Sequence, residues 1–284
     1  MEVDCSVEDV APDNSLNLRN NEEVELLYDG DKVIVSGGST ARVELLSDHM
    51  VLKAPYPASP LRQTSLDEIE HEYRIYQQLG THPRLLRVYA FRREEGLTME
   101  YMPCGNLKDY LMRKDTVIDN AWRVQWIMDV LESISLLHAH DIVHGDIKAE
   151  NFLLDRDCRL RVIDFSGSST PGKPGSAMEG VRHCLPRSFE ESSTIKTDLF
   201  AVGSTLYEIA TGSAPYHDLD DEEVEILFSK RDFPDTEHLL CHRMIQACWR
   251  CEVSSINDLL VLGSSLASCT HGSCLDVNTS SKAY

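Results

Sequence analysis

Short apolar runs and alternations fill the first hundred positions, and long helical periodicities follow them. Val33-Ile34-Val35 leads into Ser36-Gly37-Gly38-Ser39, Ala41–Leu46 alternates, and Met50–Lys53 is a brief apolar run. Glu25–Ala54 therefore predicts three short strands joined by tight turns. Leu66–Leu79 carries apolar residues at 66, 69, 73, 76 and 79, a helical spacing. Leu85–Phe91 and Leu97–Tyr101 return to strand character. From Leu107 onward helices dominate. Asn120–His140 has a continuous apolar face of Trp122, Trp126, Ile127, Val130, Leu131, Ile134 and Leu137. Asp198–Thr211, Asp221–Ser229 and His238–Arg250 are further helices. Pro and Gly interrupt both patterns at Met102–Gly105. The expected fold class is α+β and bilobal: a small β-rich lobe over residues 22–101, then a larger α-helical lobe over 106–262. Residues 1–21 read as a polar, acidic leader, and 263–284 as a Ser- and Thr-rich tail.

Composition narrows the function classes. The 284 residues are 42% hydrophobic and 26% charged, which is ordinary for a globular chain. Twenty-seven basic against 47 acidic side chains leave a net charge of −20. A surface this negative repels phosphate backbones and anionic lipid, so neither nucleic acid nor a membrane is an expected partner. No stretch has the length of a membrane span, and the acidic start lacks the layout of a secretory signal. The nine cysteines are odd in number and have no paired rhythm. A reducing, intracellular and cytoplasmic setting follows as the expectation. Cys248-Trp-Arg-Cys251 has the spacing of half a zinc site, but no second pair follows it, so it reads as core.

The chemistry concentrates in two segments. His144-Gly145-Asp146-Ile147-Lys148-Ala149-Glu150-Asn151 lies on a loop between the long helix and the apolar run Phe152-Leu153-Leu154. A carboxylate, a cation and an amide stand there at fixed offsets. Phosphoryl transfer needs such a trio: a base to orient the nucleophile, a charge to offset the γ-phosphate, and an oxygen to ligate Mg²⁺. Thirteen residues on comes Val162-Ile163-Asp164-Phe165-Ser166-Gly167, with a carboxylate at the end of an apolar strand, where it can hold a divalent ion.

These segments resemble the catalytic loop, HxDxKxxxN, and the metal-binding DFG loop of eukaryotic-type protein kinases. The resemblance spans roughly Glu22 to Leu262, and the short HGD form is similar to small kinase-like proteins of filamentous fungi. It implies Asp146 as catalytic base, Lys148 on the γ-phosphate, and Asn151 and Asp164 as Mg²⁺ holders. Val51-Leu52-Lys53 resembles the third-strand V-A-I-K motif, with Lys53 for the α/β-phosphates and Glu72 as its helix partner. Glu70 is the rival for that pairing. Three glycines of the phosphate-covering loop fall on Ser36, Gly38 and Ala41, so one of them remains. Weaker ATP binding is expected, since a Cβ hinders the approach of backbone N–H groups to phosphate. Glu100 to Met102 fits the adenine-binding hinge behind Met99, Asn106 is placed for the ribose, and Val43, Val51 and Leu153 for the adenine ring.

Departures from the family pattern shape the expectations. Gly145 replaces the arginine that clamps a phosphorylated activation segment, which implies activity without that phosphorylation. Ser166 stands at the DFG glycine and is expected to stiffen that loop. Leu185-Pro186-Arg187 stands where A-P-E is usual, and Gly180 where the segment's threonine falls. A charge-reversed pair of Arg187 with Glu252 is expected. Asp198 matches the aspartate that supports the catalytic loop. The resemblance implies a protein kinase using ATP and Mg²⁺ on protein hydroxyls, of the Ser/Thr type because of Lys148. Glu150 and the acidic run Asp218–Glu225 suit basic substrates. The alternative, from the thinned glycine loop, Ser166 and Arg187, is a pseudokinase scaffold.

Overall fold

The computed structural model describes residues 27–29, 32–38, 41–113, 117–188, 190–264 and 266. The expected leader, and the expected tail past 266, lie outside the described residues. Strands β1 (Leu27–Asp29), β2 (Lys32–Gly37), β3 (Ala41–Ser47), β4 (Met50–Pro55), β5 (Val88–Arg92) and β6 (Gly96–Glu100) form one sheet. Its order is β1-β2-β3-β4-β6-β5, every pairing antiparallel. The region expected to hold three strands contains four. Strand β1 has only three residues, where the apolar pattern is too short to announce a separate strand.

Helix α1 (Arg62–Leu79) packs on this sheet through Leu66, Ile69, Ile75, Tyr76 and Leu79, all buried. It begins four residues before its first apolar position, because its opening residues 62–65 are all polar and leave no periodic trace. Gly80, at φ 69°, ends it.

The larger lobe holds α2 (Leu107–Met112), α3 (Asn120–His138), α4 (Ile195–Thr211), α5 (Asp221–Ser229), α6 (His242–Trp249) and α7 (Ile256–Leu262), with a two-stranded ribbon of β7 (Phe152–Leu154) and β8 (Leu160–Val162). Local capping sets several boundaries. Asp119 accepts from the Trp122 amide at the start of α3, and Thr194 with Thr197 closes a capping box on α4. The Thr194 cap places the start of α4 ahead of Asp198 and frees that carboxylate for other work. Along α3, Trp126, Ile127, Val130, Leu131, Ile134 and Leu137 are fully buried. Burial of each such side chain contributes about 1.5–3 kcal/mol. Helix α6 is shorter than the expected 238–250, and α7 lacks enough turns for its periodicity to stand out.

The lobes meet through Met102–Gly105 and through a buried ionic knot. Arg84, from the α1–β5 connection, lies 2.7 Å from Asp129 of α3 and donates to the Leu160 carbonyl. Arg159 pairs with the same carboxylate at 2.6 Å. Among the described residues no helix is long and apolar enough to cross a membrane.

Candidate active site

Lys53 sits on β4 opposite Val43 and Leu97 of its neighbours, so its side chain projects from the sheet toward α1 and the second lobe. Its ammonium lies 2.6 Å from Glu72 Oε2 on α1 and 2.7 Å from Asp164 Oδ1 beyond β8. Glu70, the rival partner, is paired instead with Arg74 and Arg93. Burial alone would lower the Lys53 pKa, but Asp164 and Glu72 outweigh it and hold the ammonium above its ordinary value. The Lys53 charge, in turn, draws the Asp164 carboxyl well below the usual carboxylate range. Burial pushes Glu72 up, with Lys53 pulling it back.

The catalytic-loop segment is held from below. Asp198, fully buried on α4, accepts from the His144 and Gly145 amides, both at 2.9 Å, and from His138 Nε2 at 2.9 Å. Gly145 takes φ 78°, and a Cβ there would stand 3.1 Å from the Ala177 methyl. Glycine lets the following segment approach this closely. Asn151 Nδ2 donates to the Asp146 carbonyl (2.7 Å) and to Asp146 Oδ2 (3.0 Å), while Lys148 Nζ lies 2.9 Å from the same Oδ2. Asp146 Oδ1 is buried and has no partner. Burial opposes the Lys148 charge, but Asp146 and Glu150 raise its pKa above the ordinary value.

The remaining candidates lie on or beside β2, β3, β4, β6 and β7 and on the connection between β6 and α2. Val51 and Ala41 are buried, Val43 and Leu153 half-buried, and Ser36 and Gly38 exposed at the end of β2. The Gly38 amide donates to the Ala41 carbonyl at 2.8 Å. The tighter glycine is Gly37, whose Cβ would meet the Tyr56 hydroxyl at 2.7 Å. Tyr56 in turn donates to the Gly38 carbonyl at 3.2 Å, and nothing in the local sequence pattern announces that contact. The Met102 amide donates to no described acceptor, so the hinge keeps a free N–H. Asn106 caps α2, accepting from the Asp109 amide. The Glu100 carboxylate faces away from this free edge and accepts from Arg161 at 2.9 Å.

One expected pair is absent. Arg187 does not reach toward Glu252; it donates to Glu179 Oε2 at 2.8 Å and to Ser193 Oγ at 3.2 Å. The Glu179 side chain is only 2% exposed. A carboxylate eight residues away in the same loop satisfies the arginine, so the charge reversal closes within the segment. Residues 166–187 are pinned further by the Gly167 carbonyl, which accepts from the Ser176 and Ala177 amides. A second unannounced contact is Glu208 of α4, whose carboxylate accepts from the Ala149 amide at 3.3 Å and lies 3.5 Å from His183 Nε2. Glu150 is paired with Lys108 and Lys148, which neutralises the charge expected to meet a substrate.

The comparisons match this geometry. The family model for protein tyrosine and serine/threonine kinases covers residues 46–258. The chain belongs to that protein kinase family, and its two lobes are the kinase fold. Among curated relatives, it is similar to germinal center kinase 3 of Caenorhabditis elegans, 30% identical over 200 residues, covering 62% of this chain and 33% of that protein. It is also similar to the serine/threonine-protein kinase kin-29 of the same organism, 27% identical over 207 residues (67% and 24% of the two chains). Mouse serine/threonine-protein kinase SIK1 is 29% identical over 201 residues, 66% of this chain and 25% of that one. The chain spans about a third or less of the length of these relatives.

Proposed function

We propose that this chain transfers the γ-phosphoryl group of ATP to a serine or threonine hydroxyl of a protein substrate. The observation that carries the reading is the Lys53 bridge to both Glu72 and Asp164, together with an Asp146 oxygen that is buried and unpaired. A closed lysine–glutamate pair and a free carboxylate oxygen support a working catalyst over a scaffold that has lost its chemistry. The names of the relatives support the Ser/Thr assignment.

In this reading the Met102 amide meets the adenine, and Val43, Val51 and Leu153 enclose the ring. Asn106 serves the ribose. Lys53, kept charged by its two carboxylates, orients the α- and β-phosphates. Asp146 Oδ1 accepts the proton of the attacking hydroxyl. The bond from the substrate hydroxyl oxygen to the γ-phosphorus forms as the bond to the β,γ-bridging oxygen breaks, and Lys148 offsets the charge on the phosphoryl oxygens.

Among the described residues no cluster of three or more His, Cys, Asp or Glu side chains could hold a metal alone. Mg²⁺ binds through one or two protein ligands together with phosphates. Asn151 donates only through Nδ2, which leaves its Oδ1 for the ion, and Asp164 Oδ2 has no described partner. When bound, the ion neutralises charge on the triphosphate.

Direct packing of Ala177 on Gly145 and the Glu179–Arg187 pair support activity without phosphorylation of the segment. With Glu150 neutralised, any preference for basic substrates rests on exposed Asp218, Glu222 and Glu225 around α5. The free cysteines at 104, 158, 184, 241, 248 and 251 support an intracellular setting.

Purified chain incubated with γ-labelled ATP and a mixed peptide array should incorporate label on Ser or Thr. Asp146→Asn should lower kcat by about 10²–10⁴-fold while ATP still raises the melting temperature. Incorporation unchanged by that substitution would remove the proposal.

A further inference from the structure

The segment after β8 carries a serine hydroxyl in a telling place. Ser166 Oγ donates to Asp164 Oδ1 at 2.8 Å, and Lys53 Nζ reaches that same oxygen at 2.7 Å. Nothing among the described residues donates to Oδ2. The Asp164 side chain is 42% exposed, so packing alone does not fix how its carboxylate turns. The left-handed residue of this loop is Asp164 itself, at φ 67°, whereas Ser166 has no positive φ. Position 166 therefore has no conformational need for glycine, and a side chain there is free to serve the neighbouring carboxylate.

We infer that Ser166 is a positioning residue for the metal-binding oxygen of Asp164: with Lys53 it saturates Oδ1 and presents Oδ2 to the cleft. Two donors on one oxygen fix the rotation of the carboxylate about its Cβ–Cγ bond, so the free oxygen is already oriented when the ion arrives. Partners of this kind, which orient a ligand without touching the metal, characteristically alter metal affinity by an order of magnitude or more. The role matters here because the phosphate-covering turn offers only Gly38 at the positions expected to be glycine. More of the grip on a metal–nucleotide complex then falls on the Asp164 side of the cleft. The inference rests on the proposed role of Asp164 as a Mg²⁺ holder.

The test titrates Mg²⁺ into the full chain saturated with a non-hydrolysable ATP analogue, followed by calorimetry and thermal shift. The proteins compared are wild type, Ser166→Ala, Ser166→Gly, Ser166→Thr and Asp164→Asn. Ser166→Ala and Ser166→Gly should raise the apparent Mg²⁺ dissociation constant about tenfold. Affinity for the analogue in excess chelator should stay within about twofold, and so should that of Ser166→Thr for Mg²⁺, because threonine keeps the hydroxyl. Equal Mg²⁺ affinities across all the position-166 variants would overturn the inference while leaving the Asp164 reading intact. A threonine variant as weak as the alanine one would also overturn it, because packing rather than the hydrogen bond would then be responsible. If wild type and Asp164→Asn respond identically to Mg²⁺, the metal-holding role of Asp164 fails, and the inference with it.

Discussion

Tyr76 buries its hydroxyl without a hydrogen-bond partner, four residues along α1 from Glu72. Its ring meets Phe165 edge-on at 5.1 Å, and Phe165 meets His144 in the same way at 5.7 Å, which links α1 to both motif loops. Burial, reinforced by Glu72 and Asp164, pushes the phenol well above its ordinary pKa. A lone buried hydroxyl is unfavourable, so Tyr76→Phe should stabilise the fold by about 1 kcal/mol, read as a higher urea midpoint. A lower midpoint would mean that the hydroxyl has a partner in solution.

His71, next to Glu72, is buried and donates through Nε2 to the Ser168 carbonyl at 2.7 Å. Burial lowers its pKa below the ordinary histidine value, with Lys173 and Arg74 adding to the effect and the Ser168 bond opposing it. The unfolded chain then binds the proton more readily than the folded one, so this group's contribution to stability falls as pH drops below about 6.5. Glutamine can keep the bond without titrating. Wild type should therefore lose more melting temperature than His71→Gln between pH 7.5 and 5.5, and parallel pH profiles would refute the assignment.

At the scale of elements, helix packing shows why one glycine sits in the middle of α4. A Cβ on Gly203 would stand 2.6 Å from Cys248 Cβ and 3.3 Å from the Ile245 carbonyl, both on α6. Glycine brings the two helices into direct contact, and buried Trp249 then donates to Ser204 Oγ at 3.0 Å. Gly203→Ala should lose about 1–3 kcal/mol on denaturant unfolding, although alanine is the better helix former. The same contact explains Cys248. It is a buried packing residue, and burial drives its thiol well above its ordinary pKa. Much of the fold was legible at this scale, because strands and amphipathic helices leave periodic traces. Strand β1 and helix α7 were not, since elements of so few residues hold too little periodicity to separate from loop.

For the whole molecule, the proposed activity without phosphorylation rests on the segment between the Asp164 loop and α4. Its closure relies on Glu179 with Arg187, and on Ala177 against Gly145. Transfer activity should therefore survive phosphatase treatment and the substitution of exposed Ser176 by alanine. Glu179→Gln should behave differently. It leaves Arg187, 14% exposed, without its counter-ion, and should destabilise the segment by about 3 kcal/mol, measured as a fall in kcat/KM. Loss of activity on phosphatase treatment would show that a phosphate, not Glu179, holds the segment.

Sequence by itself determined the two lobes and the membership implied by the HGD and DFS segments. Those features depend on local periodicity and on residues close together along the chain, where type and order are enough. Only the tertiary structure decided that Asp164 joins Glu72 on Lys53, which oxygen of Asp164 stays free, and that Arg187 turns to Glu179. Each of those outcomes is a competition among charges far apart in sequence. Distance and burial settle such a competition, and neither is written in the order of the residues.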